Sequence, residues 1–505
     1  MAGFNSIIFI IAIPLLGAFL LPLFDKLSER IRNFWVASVL VVTDIFSFLL
    51  YKSILQKGRL VYSVGAKFPS LTSLNGFPVR IILTGDALSG FLVLIFLLVA
   101  SLIFLYSLNA LKDHFSLDKF YALYLLLMVG ISGFLLVGDF FTLFVFYEIN
   151  SIATAGLISF FKDRESFKAA FHYLSVFAIG SLFLLIGIGI FYSEYGFLNM
   201  AIIASYLEFS FLDKIALSFI ASALLLKAGV FPFYFWKPEA YKVSPVPAVI
   251  LSIISSLSAI YVLFRLAFNV FGLNVSFGWI LLLFSILSIF IGVFLALKEN
   301  KIKRILAYLA ISELGYIILG ISSGFLTLNN DFGFKAIQGG LFHMLNDLLD
   351  MTLLFLVVGS IIYVTKSNFK NTFGIQGVAY SNPLLSGFFL LGLLAVSGMP
   401  PLNGFASKII IYESVFRLNP ALAVIGILGS VLILAVLVKI FILIFLGAPS
   451  ENYRPVPKII IAIISIFAVS MILIGLFPKQ VITFFIKPAA KALISQRDYI
   501  NSVIY

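Results

Sequence analysis

Long apolar stretches separated by short polar connections fill the chain from one end to the other. About fourteen of them are long enough to cross a hydrocarbon core, which takes ~20 helical residues. They lie near 4–24, 33–55, 79–110, 116–137, 139–161, 166–194, 213–236, 243–271, 275–298, 301–324, 335–363, 383–417, 420–446 and 457–484. No segment of soluble-domain composition interrupts them. The pattern predicts an all-α integral membrane protein, one membrane domain over 1–505. The longest connection, 56–78, contains Pro, Gly and Ser and is expected to hold a small hairpin. The opening MAGFNSIIFIIAIPLLGAFLLPLF has no basic segment before its apolar run and no clear small-residue cleavage site. It reads as a first membrane helix and not a removed signal.

Two of the runs are interrupted. The seventh contains LLLKAGVFPFYFW and the twelfth GMPPLNGFASKIII. Pro232 removes a helical hydrogen bond, and Pro400 and Pro401 disfavour helical geometry in the residues before them. Both elements are therefore predicted to be discontinuous, near Gly229–Pro232 and Gly398–Gly404. They stand five runs apart, an odd number, so repeated units containing them would be inverted relative to each other. Paired interrupted helices at corresponding positions point to a transporter's ion path.

Composition sharpens the class. The 505 residues are 62% hydrophobic and 11% charged, with mean hydropathy +1.14, more apolar than any soluble core requires. The net charge of +12 is scattered over short loops, which fits membrane orientation better than nucleic acid. Loops after odd-numbered runs, including Lys298, Lys301, Lys303 and Arg304, carry about twice the Lys and Arg of the others. That bias places the odd loops in the cytoplasm and both termini outside, in the cell membrane of a prokaryote, although the basic tail (Lys479, Lys487, Lys491, Arg497) runs against it. There is no cysteine, which excludes disulfides, iron–sulfur clusters and thiolate metal sites. His114, His172 and His343 are too dispersed to form a metal-ligand cluster. Abundant Ile, Lys and Tyr without Cys suit a thermophile.

The charges inside the runs carry the candidate chemistry, because an ionisable residue in a membrane segment is costly. Glu148, in TLFVFYEINSIATAGL, and Lys227 are candidates for a pair. Burial disfavours the charged form of each and an opposite charge restores it, so a pair that makes and breaks switches proton affinity. The alternative is a static ion pair tying two helices together. Lys408 follows PPLNGF at mid-depth, with snorkelling to an interface as the alternative. Lys303 reads first as an orientation signal, with an inward-facing position as the alternative. His343, Asp347 and Asp350 follow at i, i+4 and i+7 and share one helix face, and Glu313 adds a further embedded acid. The stripe reads as a proton or cation relay; the alternative is a histidine satisfied by an interhelical hydrogen bond.

These residues sit in motifs that, taken together, resemble a known family. GDALSGF at 85–91, GDFFTLFVFYEI at 138–149, KAGVFPFYFWKPEAYKVSPVPAV at 227–249, KIKRILAYLAISELGYIILG at 301–320, LFHMLNDLL at 341–349 and SGMPPLNGFASK at 397–408 occur in order along the chain. The chain resembles the antiporter-like subunits of Mrp sodium/proton antiporters, respiratory complex I, membrane-bound hydrogenases and sulfur-reducing complexes, nearest the Mrp D type. The resemblance implies two inverted five-helix units, helices 4–8 (116–271) and 9–13 (275–446). Helices 1–3 (1–110) would precede them, and a last helix with a short tail (457–505) would follow. It also implies a charged axis along the membrane midplane that includes Glu148, Lys227, His343 and Lys408.

The departures from that pattern matter as much. Relatives offer a histidine or lysine on helix 8, where this chain has ILSIISSLSAIYVLFR, with Leu251 and Leu257 at the matching places. Ser252, Ser255, Ser256 and Ser258 can host water but cannot take a full charge. On helix 11, Asp347 and Asp350-Met351 replace the family's second histidine and its FK pair, and Glu313 stands where relatives often have His or Gln. Lysine is lost and carboxylate gained, which makes a sodium-adapted or coupling role more credible. The leading reading is an ion-translocating (H+ and/or Na+) subunit of a multisubunit energy-coupling complex, alongside further antiporter-like subunits. It holds no cofactor motif, so any electron transfer belongs to partner subunits. The competing readings are a scaffold that conducts no ions and a polytopic enzyme acting on lipid-linked substrates.

Overall fold

The structure, a computed structural model, describes residues 2–64, 80–272, 275–328, 330–365, 376–447 and 455–504. Helices dominate it. In chain order they are α1 (Ala2–Asp25), α2 (Glu29–Lys57), α3 (Ala87–Ala110), α4 (Leu117–Leu136), α5 (Phe140–Ile158), α6 (Arg164–Tyr195), α7 (Met200–Tyr206), α8 (Phe211–Ala228), α9 (Trp236–Val243) and α10 (Val246–Arg265). α10 runs on through a π-helical turn, Leu266–Val270. There follow α11 (Val275–Lys298), α12 (Ile302–Leu326), α13 (Asp331–Thr365), α14 (Val378–Ser381), α15 (Pro383–Ser397), α16 (Asn403–Leu418), α17 (Pro420–Phe445), α18 (Lys458–Leu476), α19 (Pro478–Val481), α20 (Lys487–Ile494) and α21 (Gln496–Ile504).

Among the described residues, twelve helices are long and apolar enough to span a membrane. With the two interrupted elements, α8–α9 and α15–α16, they account for every apolar run in the sequence. The interruptions fall where Pro and Gly place them, between Ala228 and Trp236 and between Ser397 and Asn403. Gly229 (φ 67°) and Gly398 (φ 79°) close α8 and α15 in the left-handed region, where a Cβ is penalised. Gly404, expected within the second break, lies inside α16 instead.

Two boundaries differ from the sequence reading. Residues 81–85 form a strand, not the start of a membrane helix. β1 (Leu60–Val64) pairs antiparallel with β2 (Ile81–Gly85), Leu60 opposite Gly85, and residues 65–79 lie outside the described residues. α3 begins only after Asp86, whose carboxylate accepts from the Leu88 and Ser89 amides in a capping box. At the other end the last span stops at Leu476, and the tail continues as short helices that pack back on the bundle.

The arrangement is concentric. α10 is buried along its whole length, and α12 and α13 nearly so. α12, α13 and α16 pack on one another, while α10 packs on α8, α4 and α13. Outside them, α1, α2, α6, α11, α17 and α18 expose large apolar side chains such as Phe19, Phe34, Phe171 and Leu283, as lipid-facing helices should. A buried charge cluster secures one end: the Asp86 carboxylate meets Arg265 of α10 and, at 3.0 Å, Arg59 beside β1. Tyr499 of α21 lies against both guanidiniums.

Candidate functional site

Each interruption presents a buried lysine, in a different environment. Lys227, in the last turn of α8, is 1% exposed. Its ammonium donates to Ser151 Oγ of α5 at 3.0 Å and Tyr173 OH of α6 at 3.2 Å. It lies 4.5 Å from the centre of the Phe177 ring and 5.3 Å from that of Tyr147. Glu148, one turn before Ser151 on α5, acts on Lys227 through space. Among the described residues no direct ion pair joins the two, and the expectation of a direct or one-water contact between them stands on that electrostatic influence alone. Glu148 remains partly exposed, so burial does not force it onto a partner, and hydroxyls and aromatic faces solvate the lysine instead.

Lys408, on α16 just past the second break, is also 1% exposed and is ion-paired. Its ammonium lies 3.0 Å from Glu313 Oε1 of α12 and donates to the Val396 carbonyl of α15 at 2.7 Å. The Tyr316 ring centre is 4.2 Å away. Glu313 Oε2 in turn lies 3.1 Å from His343 Nε2, and His343 Nδ1 lies 3.1 Å from Ser407 Oγ. Lysine, glutamate and histidine thus form a continuous buried triad across α16, α12 and α13. Asp350, further along the same face of α13, accepts from Asn403 Nδ2 at 2.7 Å. Asp347 is within electrostatic reach of Glu313, Asp350, Lys408 and Lys237, and its buried Oδ1 has no hydrogen-bond partner among the described residues.

The serines of α10 are buried. Ser255 donates to Asn150 Oδ1 of α5 at 2.8 Å, and Ser256 and Ser258 donate back to carbonyls of their own helix. Ser252 and Ser256 face the Tyr241 hydroxyl, which is buried and has no aligned hydrogen-bond partner among the described residues. Buried polar atoms left this way are where internal water resides. Lys303 faces inward, donating to the Ser244 carbonyl at 2.7 Å and the Lys242 carbonyl at 3.2 Å, so it caps the C-terminus of α9. It borders a cavity of about 460 Å³ whose wall includes Tyr106, His114, Asp163, Glu165 and Lys242. These residues lie on or next to connections that follow odd-numbered runs.

Sequence reasoning passes over Lys237, Asn403 and Asn346. Lys237, on α9, is 1% exposed and donates to the Ala228 carbonyl at 2.6 Å. Asn346 donates to the Asn403 carbonyl at 2.8 Å and so ties α13 to the start of α16. The sequence signal for Lys237 is its place in FWKPEA, directly after the interruption.

Fold and site together define a polytopic helical membrane protein with ionisable groups buried along its interior. More narrowly, the chain belongs to the NADH:quinone oxidoreductase/Mrp antiporter transmembrane family, whose model matches residues 137–433. Every charged residue of the two clusters lies inside that match. Among curated proteins, it is 28% identical over 515 residues to the D-type subunit of the Na(+)/H(+) antiporter of Bacillus subtilis, covering 99% of each chain. It is also 28% identical over 485 residues to a putative antiporter subunit mnhD2 of Staphylococcus epidermidis, covering 94% of this chain and 92% of the other. Its fold matches a chain of the Mrp complex from Dietzia sp. DQ12-45-1b with TM-score 0.88 at 22% identity, over 100% and 99% of the two chains. It matches a chain of an archaeal membrane-bound sulfane sulfur reductase with TM-score 0.85 at 24% identity, over 98% and 99%. A chain of respiratory complex I from Thermus thermophilus superposes with TM-score 0.82 at 19% identity, over 97% and 99%.

Proposed function

We propose that this chain is an antiporter-like subunit that carries H+ and/or Na+ within a multisubunit energy-coupling membrane complex, beside other subunits of its kind. The observation that carries the reading is the pair of interrupted membrane elements, each holding a buried lysine among groups from other helices. Interrupted helices free backbone carbonyls inside the bundle, and such backbone is tolerated only where protein or internal water satisfies it. Glu148, Lys227, His343, Glu313, Asp347, Asp350 and Lys408 form the path in this reading, with the α10 serines hosting water between its halves. The elements over 116–271 and 275–446 are the two inverted units that hold the breaks. With the odd loops in the cytoplasm, both termini lie outside and the cavity beside Lys303 is the cytoplasmic mouth. Redox chemistry, where the host complex performs it, belongs to partner subunits.

The test is ion movement in the assembled complex reconstituted into vesicles. Lys227→Met and Lys408→Met are each expected to slow it roughly 100-fold, the scale at which a positioned proton-transfer group contributes, with assembly intact. Wild-type rates in both variants would leave a scaffold role in place of translocation. Separate H+ and Na+ readouts of Asp350→Asn then assign the acidic stripe: loss of sodium movement with proton movement retained makes it the sodium site.

A further inference from the structure

We infer that Lys237, on the second half of the first interrupted element, carries protons between the two halves of the path; this rests on the ion-carrying reading above. Lys237 stands at its break as Lys408 stands at the other. Both follow the interruption, and both are 1% exposed. Each donates to a carbonyl at the C-terminus of the preceding half-helix, Lys237 to Ala228 at 2.6 Å and Lys408 to Val396 at 2.7 Å. Each also lays its stem against the glycine that ends that half-helix: a Cβ on Gly229 would meet Lys237 Cδ at 3.0 Å, and one on Gly398 would meet Lys408 Cδ at 3.1 Å. The end of a helix, with its free carbonyls and negative dipole end, is a favourable seat for an ammonium.

The difference lies in what each ammonium faces. Lys408 is paired with Glu313, whereas among the described residues Lys237 makes no ion pair. The opposite charge acting on it is Asp347, and Asp347 is also acted on by Glu313, Asp350 and Lys408. Lys237 therefore adjoins the carbonyl next to Lys227 and acts on the carboxylate that borders the second cluster. The buried, unpartnered Asp347 Oδ1 and Tyr241 OH in this region suit bridging water. α10, the wholly buried helix alongside, supplies hydroxyls but no ionisable group deep in the bundle other than Tyr261 before Arg265 at its far end. In the transfer, an N–H bond of the Lys237 ammonium breaks and its proton passes through water to the Asp347 carboxylate, forming an O–H bond. The neutral amine left behind then takes a proton arriving from the Lys227 side.

The test compares Lys237→Met, Lys237→Arg and Lys227→Met in the assembled complex, reading proton movement in vesicles and assembly separately. Arginine keeps the charge and can cap the carbonyl but does not release its proton. A purely structural cap would therefore survive Lys237→Arg, and a proton carrier would not. The expected result is that Lys237→Arg assembles yet slows proton movement roughly 100-fold, with Lys237→Met at least as slow. Wild-type proton movement in Lys237→Arg overturns the proposal, whether or not Lys237→Met assembles. A wild-type rate in Lys237→Met with Lys227→Met inactive also overturns it while leaving the ion-carrying reading intact. Wild-type rates in all three variants overturn both.

Discussion

The two interrupted elements share a plan and hold their charges differently. At the second, Lys408 is fixed by a carboxylate, a carbonyl and an aromatic face, and its carboxylate partner is also engaged by His343. At the first, the hydrogen-bond partners of Lys227 among the described residues are two hydroxyls, and Glu148 influences it without an ion pair. Two hydrogen bonds to a charged group, at about 1.5–3 kcal/mol each, are comparable with the loss of about 3–5 kcal/mol on removing one partner of a buried ion pair. The two sites therefore differ in the kind of partner and not in total strength. The second break holds its lysine against a counter-charge in contact, and in the proposed reading the first is the site whose charge state a small movement of α5 changes. A path that moves ions by switching affinity needs both kinds.

The largest expected effect tests the second break. Lys408→Met strands Glu313 in the core and should lower the stability of the detergent-solubilised complex by about 3–5 kcal/mol, read as a fall in its unfolding midpoint. The double variant Lys408→Met/Glu313→Gln removes both charges and should recover most of that loss. If the double variant is as unstable as the single one, the pair is not what holds α12 to α16.

Much of this is legible in the sequence, for reasons that can be located. Run length identifies the spans, and Pro232, Pro400 and Pro401 mark both interruptions, because these signals are local. The i, i+4, i+7 spacing of His343, Asp347 and Asp350 puts them on one face of α13. What periodicity does not encode is which face of which distant helix lies opposite. Lys408 and Glu313 are separated by 95 positions, and nothing near either residue in sequence names the other as its partner. Glu148 and Lys227 look like partners because each offers an opposite charge in a nearby run, but a partly exposed carboxylate does not have to make that contact. Lys237 escapes notice because a lysine beside Pro238 and close to Lys242 looks like a loop cation. The strand at 81–85 is hidden because its apolar residues merge into the run that α3 completes.

An intermediate effect tests whether the two breaks are equivalent in backbone. Gly229 and Gly398 both adopt positive φ, and an added Cβ there costs roughly 1–2 kcal/mol. Gly229→Ala and Gly398→Ala should therefore destabilise the complex by similar amounts, measured as matched falls in the unfolding midpoint. Each should also push its neighbouring lysine stem, Lys237 in one case and Lys408 in the other, away from the carbonyl it caps. A large loss at one glycine and none at the other would mean that only one interruption is held by its lysine.

The smallest structural effect carries the sharpest functional contrast. Glu148→Gln removes a partly exposed carboxylate that makes no ion pair among the described residues, so stability should change by no more than about 0.5 kcal/mol, as for substitutions away from packed or paired sites. The same change deletes the carboxylate that acts on Lys227, whose ammonium is otherwise held by Ser151 and Tyr173. If the first break is the switching site, ion movement in reconstituted vesicles should fall markedly while the unfolding midpoint stays at its wild-type value. The corresponding change at the other break, Glu313→Gln, should lower both quantities, because Glu313 is at once the counter-ion of Lys408 and the partner of His343. A Glu148→Gln complex that moves ions at the wild-type rate would remove the switch from the first break, and a stability loss as large as that of Glu313→Gln would make the two breaks alike.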